Sequence, residues 1–356
     1  ALSQAFFTDP NVQSAFNQAR TSSQSLNLPL RLRLLIGPSA PELHSLRWET
    51  LRDPQDDTPL FTGETLVFSR YLSSLDWRPI RLRPKGDLQA LVVIANPSNL
   101  ADFNLAPIDI DGELQRAQQG LGQIDVTSLP APDQPATLSN LVASLRERQF
   151  DILYLVCHGA LANDQPWLWL EDEDGQVART SGQQLLSQLK ELSQRPRLIV
   201  LASCQSASPG AGQALSALGP RLAEAGIPAV LAMQGNIALD TIAAFMPVFF
   251  QELQRDGQID RAMALARGAV RDRPDFWMPA LFMRLKSGRI WYVPGFGDER
   301  QGFEKWPALL RSIRRGQCTP ILGPGLFEPM LGSLREIAQR WAEAYHYPMA
   351  PHERES

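Results

Sequence analysis

Hydrophobic and polar positions change rhythm along this chain. Near the start, NVQSAFNQARTSSQSL has helical spacing and breaks at Asn27 and Pro29. LRLRLLI (30–36) alternates Leu with Arg before an apolar end, the pattern of a strand with one wet face. PELHSLRWETL (41–51) carries apolar residues at helical intervals, and RDPQDDTP (52–59) is a loop by its Asp and Pro content. From residue 85 strands and helices alternate. LQALVVIANP (88–97), IDVTSLP (124–130), DILYLVC (151–157), WLWLEDEDG (167–175), LIVLAS (198–203) and PAVLAMQG (228–235) read as strands. DGELQRAQQGLG (111–122), TLSNLVASLRERQF (137–150), SGQQLLSQLKEL (181–192), ALSALGPRLAEAG (214–226), TIAAFMPVFFQELQRDG (241–257) and DRAMALARGAVRD (260–272) read as helices. Thr137 is suited to cap the second of these.

Strands that are apolar throughout, alternating with helices, belong in a parallel sheet covered on both faces. The pattern therefore predicts an α/β fold, mainly parallel, preceded by a smaller N-terminal region. Residues 1–84 form that region, 85–294 the α/β part, and 295–356 a linker with a short C-terminal extension. Sites in such sheets lie at the carboxyl ends of the strands, which predicts one rim for His158-Gly159 and Cys204. Phe245, Phe249 and Phe250 have helical spacing and are expected in the core.

Composition narrows the class. The 356 residues are 44% hydrophobic and 20% charged, as in ordinary globular proteins. The net charge of -4 argues against a dedicated binder of nucleic acid or anionic membrane. No apolar run is long enough to cross a bilayer. The three cysteines, Cys157, Cys204 and Cys318, are too few for a disulfide framework, so free thiols in a reducing compartment are expected. The histidines, His44, His158, His346 and His352, have no zinc-finger spacing relative to them, so no metal is expected. The chain opens without Met and closes on HERES, which reads as a piece of something longer.

His158 and Cys204 carry the chemistry. Each follows a buried strand, and they are 204 − 158 = 46 residues apart, one crossover unit. Neighbouring strands lie ~4.8 Å apart, so groups at their tips can meet. A thiol needs a nearby base to act as a nucleophile at neutral pH. Cys204 thus reads as nucleophile and His158 as its acid/base. Backbone N–H groups of Gly159 and Cys204 suit an oxyanion hole. SASPGAGQ (206–213) reads as a flexible lip, expected to be ordered by a partner or bound peptide. Cys157, inside its strand, reads as buried and inert. His44 reads as structural, and Glu171, Asp172, Glu173 and Asp174 as a solvated turn. Asp240 reads first as a helix cap. It also follows the strand beyond that of the cysteine, so it opens onto the same rim as Cys204.

LYLVCHG and LIVLASCQSA resemble the two catalytic motifs of the CHAT family, caspase-like proteases often fused to TPR repeats. PELHSLRWETLRD is similar to the family's N-terminal region, with Arg47 where Pro is more usual. WLWLEDEDG, AVLAMQGNIALDTIAAFMPVFFQEL and FWMPALFMRLKSGRIW are similar to its later segments. The likeness spans about 1–294. It implies a caspase-like fold and peptide-bond hydrolysis with no cofactor, Cys204 as nucleophile, His158 as acid/base and Gly159 as an oxyanion donor. It names no orienting residue. For Asp240, the related separases suggest a pocket for a basic P1 residue. The implied partners are a protein substrate and an activating protein or fused sensor domain; the implied setting is a cytoplasmic prokaryotic defence or cell-death pathway, including antiviral defence. The rival reading is a pseudoprotease serving as scaffold or sensor adaptor. WPALLRSIRRGQCTPILGPGL (306–326) resembles the opening of a sirtuin-like module, too short here to bind NAD. ANPSNLAD lacks a phosphate-loop pattern, against a nucleotide switch.

Overall fold

The computed structural model describes residues 1–292 apart from Pro38, 73–81, Asp133, 203–210 and Asn236, together with 313–316 and 334–345. Residues Ala1–Gly295 form one compact unit and Phe296–Ser356 another. In the second unit the described structure is chiefly a helix, Leu334–Ala344. The sirtuin-like stretch and Cys318 fall outside the described residues, save 313–316 of that stretch.

The first unit is built on one large sheet with helices on both faces. Its strands are β1 (Leu30–Leu35), β2 (Leu66–Tyr71), β3 (Gln89–Ile94), β4 (Asp125–Leu129), β5 (Ile152–Val156), β9 (Leu198–Ala202), β10 (Ala229–Met233) and β11 (Pro279–Met283). Their order is β1-β2-β11-β10-β9-β5-β3-β4. Every neighbouring pair is parallel except β10 with β11. The mainly parallel α/β fold expected from the sequence is therefore present. The N-terminal region contributes β1 and β2 to this same sheet rather than standing apart from it.

Alternation along each strand sends side chains to two cores. Val92, Tyr154, Val200 and Leu231 face one side, against α3 (Ile110–Leu121), α7 (Leu239–Asp256) and α8 (Ile259–Ala269). Leu91, Leu153, Leu201 and Val230 face the other, against α4 (Leu138–Glu147), α5 (Gly182–Glu191) and α6 (Ala211–Glu224). Both faces are dry, which is why these strands read as unbroken apolar runs. Phe245, Phe249 and Phe250 are fully buried on α7, as their spacing predicts. Truncating such a phenylalanine to Ala costs ~3–5 kcal/mol. A third cluster joins Phe7 of α1 (Leu2–Phe7) and Phe16 of α2 (Pro10–Ser25) to Trp48, Phe61 and Phe68.

Local chemistry sets the helix ends. Thr137 caps α4 by accepting from the Asn140 N–H at 2.9 Å, and Ser181 and Gln184 form a capping box on α5. The helical pattern of 41–51 resolves instead into two short 3-10 turns, Pro41–Ser45 and Trp48–Thr50. Four strands escaped the sequence reading. Two are β2 and β11. The others are β6 (His158–Ala162) and β8 (Val177–Ser181), which flank β7 (Gln165–Glu171) in a small antiparallel sheet.

Candidate active site

The site is built where the sheet changes winding direction. From β3 the chain goes to β4 on one side and then to β5 on the other, and crevices at such points bind ligands. β5 pairs with β9 in register, Val156 beside Ala202. Both strands thus leave the sheet side by side. His158 stands two residues beyond one end; Cys204 stands two residues beyond the other in sequence and lies outside the described residues.

His158 does not trail off the strand as a loop residue. It opens β6, directly opposite Trp169 of β7. Residues opposed across an antiparallel pair share a face, so the imidazole and the Trp169 indole occupy one side of the small sheet. Gly159 follows, buried, opposite Leu168, whose side chain joins the core on the other face.

The imidazole is almost completely buried, at 1% exposure. Its Nε2 lies 2.7 Å from the Ala106 carbonyl oxygen. A carbonyl only accepts, so this contact places the proton on Nε2. Nδ1 is left as a bare acceptor, buried, with no partner among the described residues. Burial lowers the His158 pKa, and the Ala106 bond opposes it only in part. The ring is therefore neutral at pH 7, oriented, and able to take a proton at Nδ1. Ala106 is the orienting group that sequence reasoning missed. A backbone carbonyl has no side-chain signature; the only local signal is Pro107, which keeps its predecessor out of helical geometry.

Cys157 is buried beside the histidine, and burial raises its thiol pKa to about 12. It is an inert thiol, as expected. Asp240 is exposed on the first turn of α7 and makes no cap. The capping reading is thereby corrected: α7 begins two residues earlier than its pattern suggested, with Ala238 as N-cap. The carboxylate at this helix end comes from Asp275, which accepts from the Ala238 N–H and the Thr241 hydroxyl, each at 2.8 Å. The acidic run is corrected too. Asp172 shapes a turn by accepting from the Asp174 and Gln176 N–H groups, but Glu171 is buried at 6% exposure and accepts two backbone bonds. His44 is half-buried in a 3-10 turn, its pKa lowered to about 4 by burial and by Arg70.

The CHAT domain family matches residues 1–289, and the chain belongs to that family. No curated protein matches. Among solved structures, gingipain R, an Arg-specific cysteine proteinase, is similar at 12% identity over 82% of this chain and 70% of that one, with a TM-score of 0.45. The complex of the RgpB pro- and mature domains of Porphyromonas gingivalis aligns at 12% identity over 82% and 73%, TM-score 0.43. The Drosophila initiator caspase Dronc aligns at 10% identity over 63% and 93%, TM-score 0.32. Among the described residues, no helix is long and apolar enough to cross a membrane.

Proposed function

We propose that this chain is a cysteine endopeptidase working through Cys204 and His158. The observation that carries the reading is the state of His158: neutral, oriented by Ala106, with a bare Nδ1, two residues beyond the end of β5, the strand beside the one that leads to the cysteine. In the proposed cycle Nδ1 takes the Cys204 thiol proton and the thiolate attacks the scissile carbonyl. The N–H groups of Gly159 and Cys204 hold the oxyanion. His158 then gives its proton to the leaving amine, and water, deprotonated by the same nitrogen, releases the acyl group. None of these steps draws on a metal or cofactor.

Asp240 is proposed to favour a basic P1 residue. It is exposed on the helix that follows β10, the neighbour of the cysteine strand. The substrate is proposed to be a protein, and the setting a cytoplasmic prokaryotic defence or cell-death pathway; the CHAT membership supports both. The small-residue lip at 206–213, of which 206–210 lie outside the described residues and 211–213 open α6, is proposed to be ordered by an activating partner or fused sensor. The test is digestion of a proteome-derived peptide library by this protein and by Cys204→Ala. Cleavage that vanishes in the variant supports the reading. Equal cleavage by both proteins removes Cys204 from the chemistry, and no cleavage by either overturns the reading in favour of a scaffold.

A further inference from the structure

The Ala106 carbonyl that orients His158 lies on a long excursion between β3 and α3. A loop of that length needs fixing if its carbonyl is to hold a catalytic ring in one pose. Its mouth is closed by one side chain: Asn96 Oδ1 accepts from the Ile108 N–H at 2.8 Å. Ile108 is core, at 3% exposure. Ala106 sits two residues before that bond. Asn96 is itself held by Glu171, whose Oε1 accepts from the Asn96 N–H at 2.8 Å while Oε2 accepts from the Ala136 N–H at 2.6 Å. A buried carboxylate accepting on both oxygens is a stiff anchor, because each bond to it is charge-assisted.

The anchor's position gives it meaning. Glu171 ends β7, the strand paired with β6, and His158 begins β6. The β7–β8 hairpin grips the loop twice more: the Ser98 N–H donates to the Gly175 carbonyl, and the Val177 N–H donates to Asn99 Oδ1, both at 2.8 Å. The small sheet therefore carries the histidine on β6 and, through β7, the turn after it and the first residue of β8, the loop that supplies the histidine's acceptor. The ring and its acceptor are both tied to the one small sheet.

We propose that Glu171 and Asn96 are positioning residues for His158, fixing the Ala106 carbonyl and through it the proton on Nε2. This rests on the reading of His158 as the catalytic base. Neither residue touches the reacting atoms. Removing the Asn96 amide frees the loop mouth, and the imidazole loses its fixed acceptor. Misplacement of a catalytic group by about 1 Å can cost ~100-fold in rate.

The test compares Asn96→Ala with Asn96→Asp, which keeps an oxygen acceptor for Ile108. With histidine-¹⁵N labelling, the four imidazoles are few enough to resolve, and His158→Gln identifies the signal. Wild type and Asn96→Asp are expected to show His158 as the Nε2–H tautomer, and Asn96→Ala a mixture. On a peptide the wild type cleaves, Asn96→Ala is expected to lower kcat about 10- to 100-fold with KM within about twofold, and Asn96→Asp to restore it. Glu171→Gln, which turns one acceptor oxygen into a donor, moves in the same direction as Asn96→Ala. A folded Asn96→Ala with wild-type tautomer and kcat overturns the proposal, even if its Tm falls. If that variant does not fold, a wild-type His158 protonated on Nδ1, or an Asn96→Asp that loses the Nε2–H tautomer, overturns it instead. If no peptide is cleaved by wild type, the proteolytic reading fails, and the tautomer measurements still decide this one.

Discussion

Arg70 and Glu49 form an ion pair at 2.7 Å in which neither side chain has any exposed area. Arg70 also donates to the carbonyls of His44 and Leu46 and to Gln234 Oε1. Gln234, the first residue after β10, returns a 2.8 Å bond to Glu49 and donates to the Trp277 carbonyl. A residue of β2, a residue of the 3-10 turn at 48–50 and the exit of a central strand thus share one buried network. Burial alone drives the Glu49 carboxyl upward; Arg70 overrides it and leaves the pKa below its ordinary value.

The network predicts asymmetric mutational costs. Arg70→Met leaves a buried carboxylate without its main partner and should cost ~3–5 kcal/mol in urea unfolding. Arg70→Met with Glu49→Leu removes both charges and should recover much of that loss. A single variant that costs less than ~1 kcal/mol would show the pair to be solvated in solution.

The two aspartates at the start of α7 should separate cleanly. Asp275→Ala removes the acceptor of the Ala238 N–H and Thr241 hydroxyl and should cost ~0.5–2 kcal/mol, the usual value of a lost cap. Asp240→Asn removes only a first-turn charge and should cost at most ~0.3–1 kcal/mol. If Asp240 lines the P1 pocket, Asp240→Asn should also lower cleavage after Arg or Lys about 10- to 100-fold. That corresponds to one charge-assisted bond of ~1.5–3 kcal/mol. Thiol labelling of Cys204 should be unaffected. Apolar P1 preference, unchanged in the variant, would remove Asp240 from specificity.

The dyad should act as a unit. Cys204→Ala and His158→Ala are each expected to abolish cleavage, and the double variant to be no worse, since both residues serve one step. Cys157→Ser should keep activity while losing ~1–3 kcal/mol, because its hydroxyl would sit in an apolar strand. Substantial turnover by either dyad variant contradicts the mechanism.

Acidity should act through His158. Catalysis needs the neutral ring, and burial lowers its pKa beneath the ordinary 6.5. The acid limb of kcat/KM should therefore have its midpoint below pH 6.5. The sign for stability follows from the same shift. The unfolded chain takes up a proton near 6.5 while the folded one resists, so stability falls as pH drops below 6.5. His158→Phe should reduce the slope of that part of the stability curve, leaving the share of His44, whose pKa is also lowered by burial. A kinetic midpoint above 6.5 would mean that another group sets the limb.

The strand core was legible in the sequence because burial on both faces leaves unbroken apolar runs, as in β3, β5, β9 and β10. Caps such as Thr137 were legible because a cap is a local bond. His158 stood out because it follows such a run, and Cys204 stood out for the same reason. What the sequence did not display were features made by distant backbone. β6 and β8 are short and half-wet, and they become strands only by pairing with β7. The Ala106 carbonyl became an acceptor only when the β3–α3 loop folded across β6. Glu171 looked like one of four solvated acids until the turn after it placed it alone beneath two N–H groups. Asp240 held the sequence position of a cap, yet Asp275, 35 residues on, holds the helix start. Local hydrophobic period specifies the strands and helices that are buried along their length. Which polar atoms meet depends on how those elements cross, and that is decided only when the sheet is assembled.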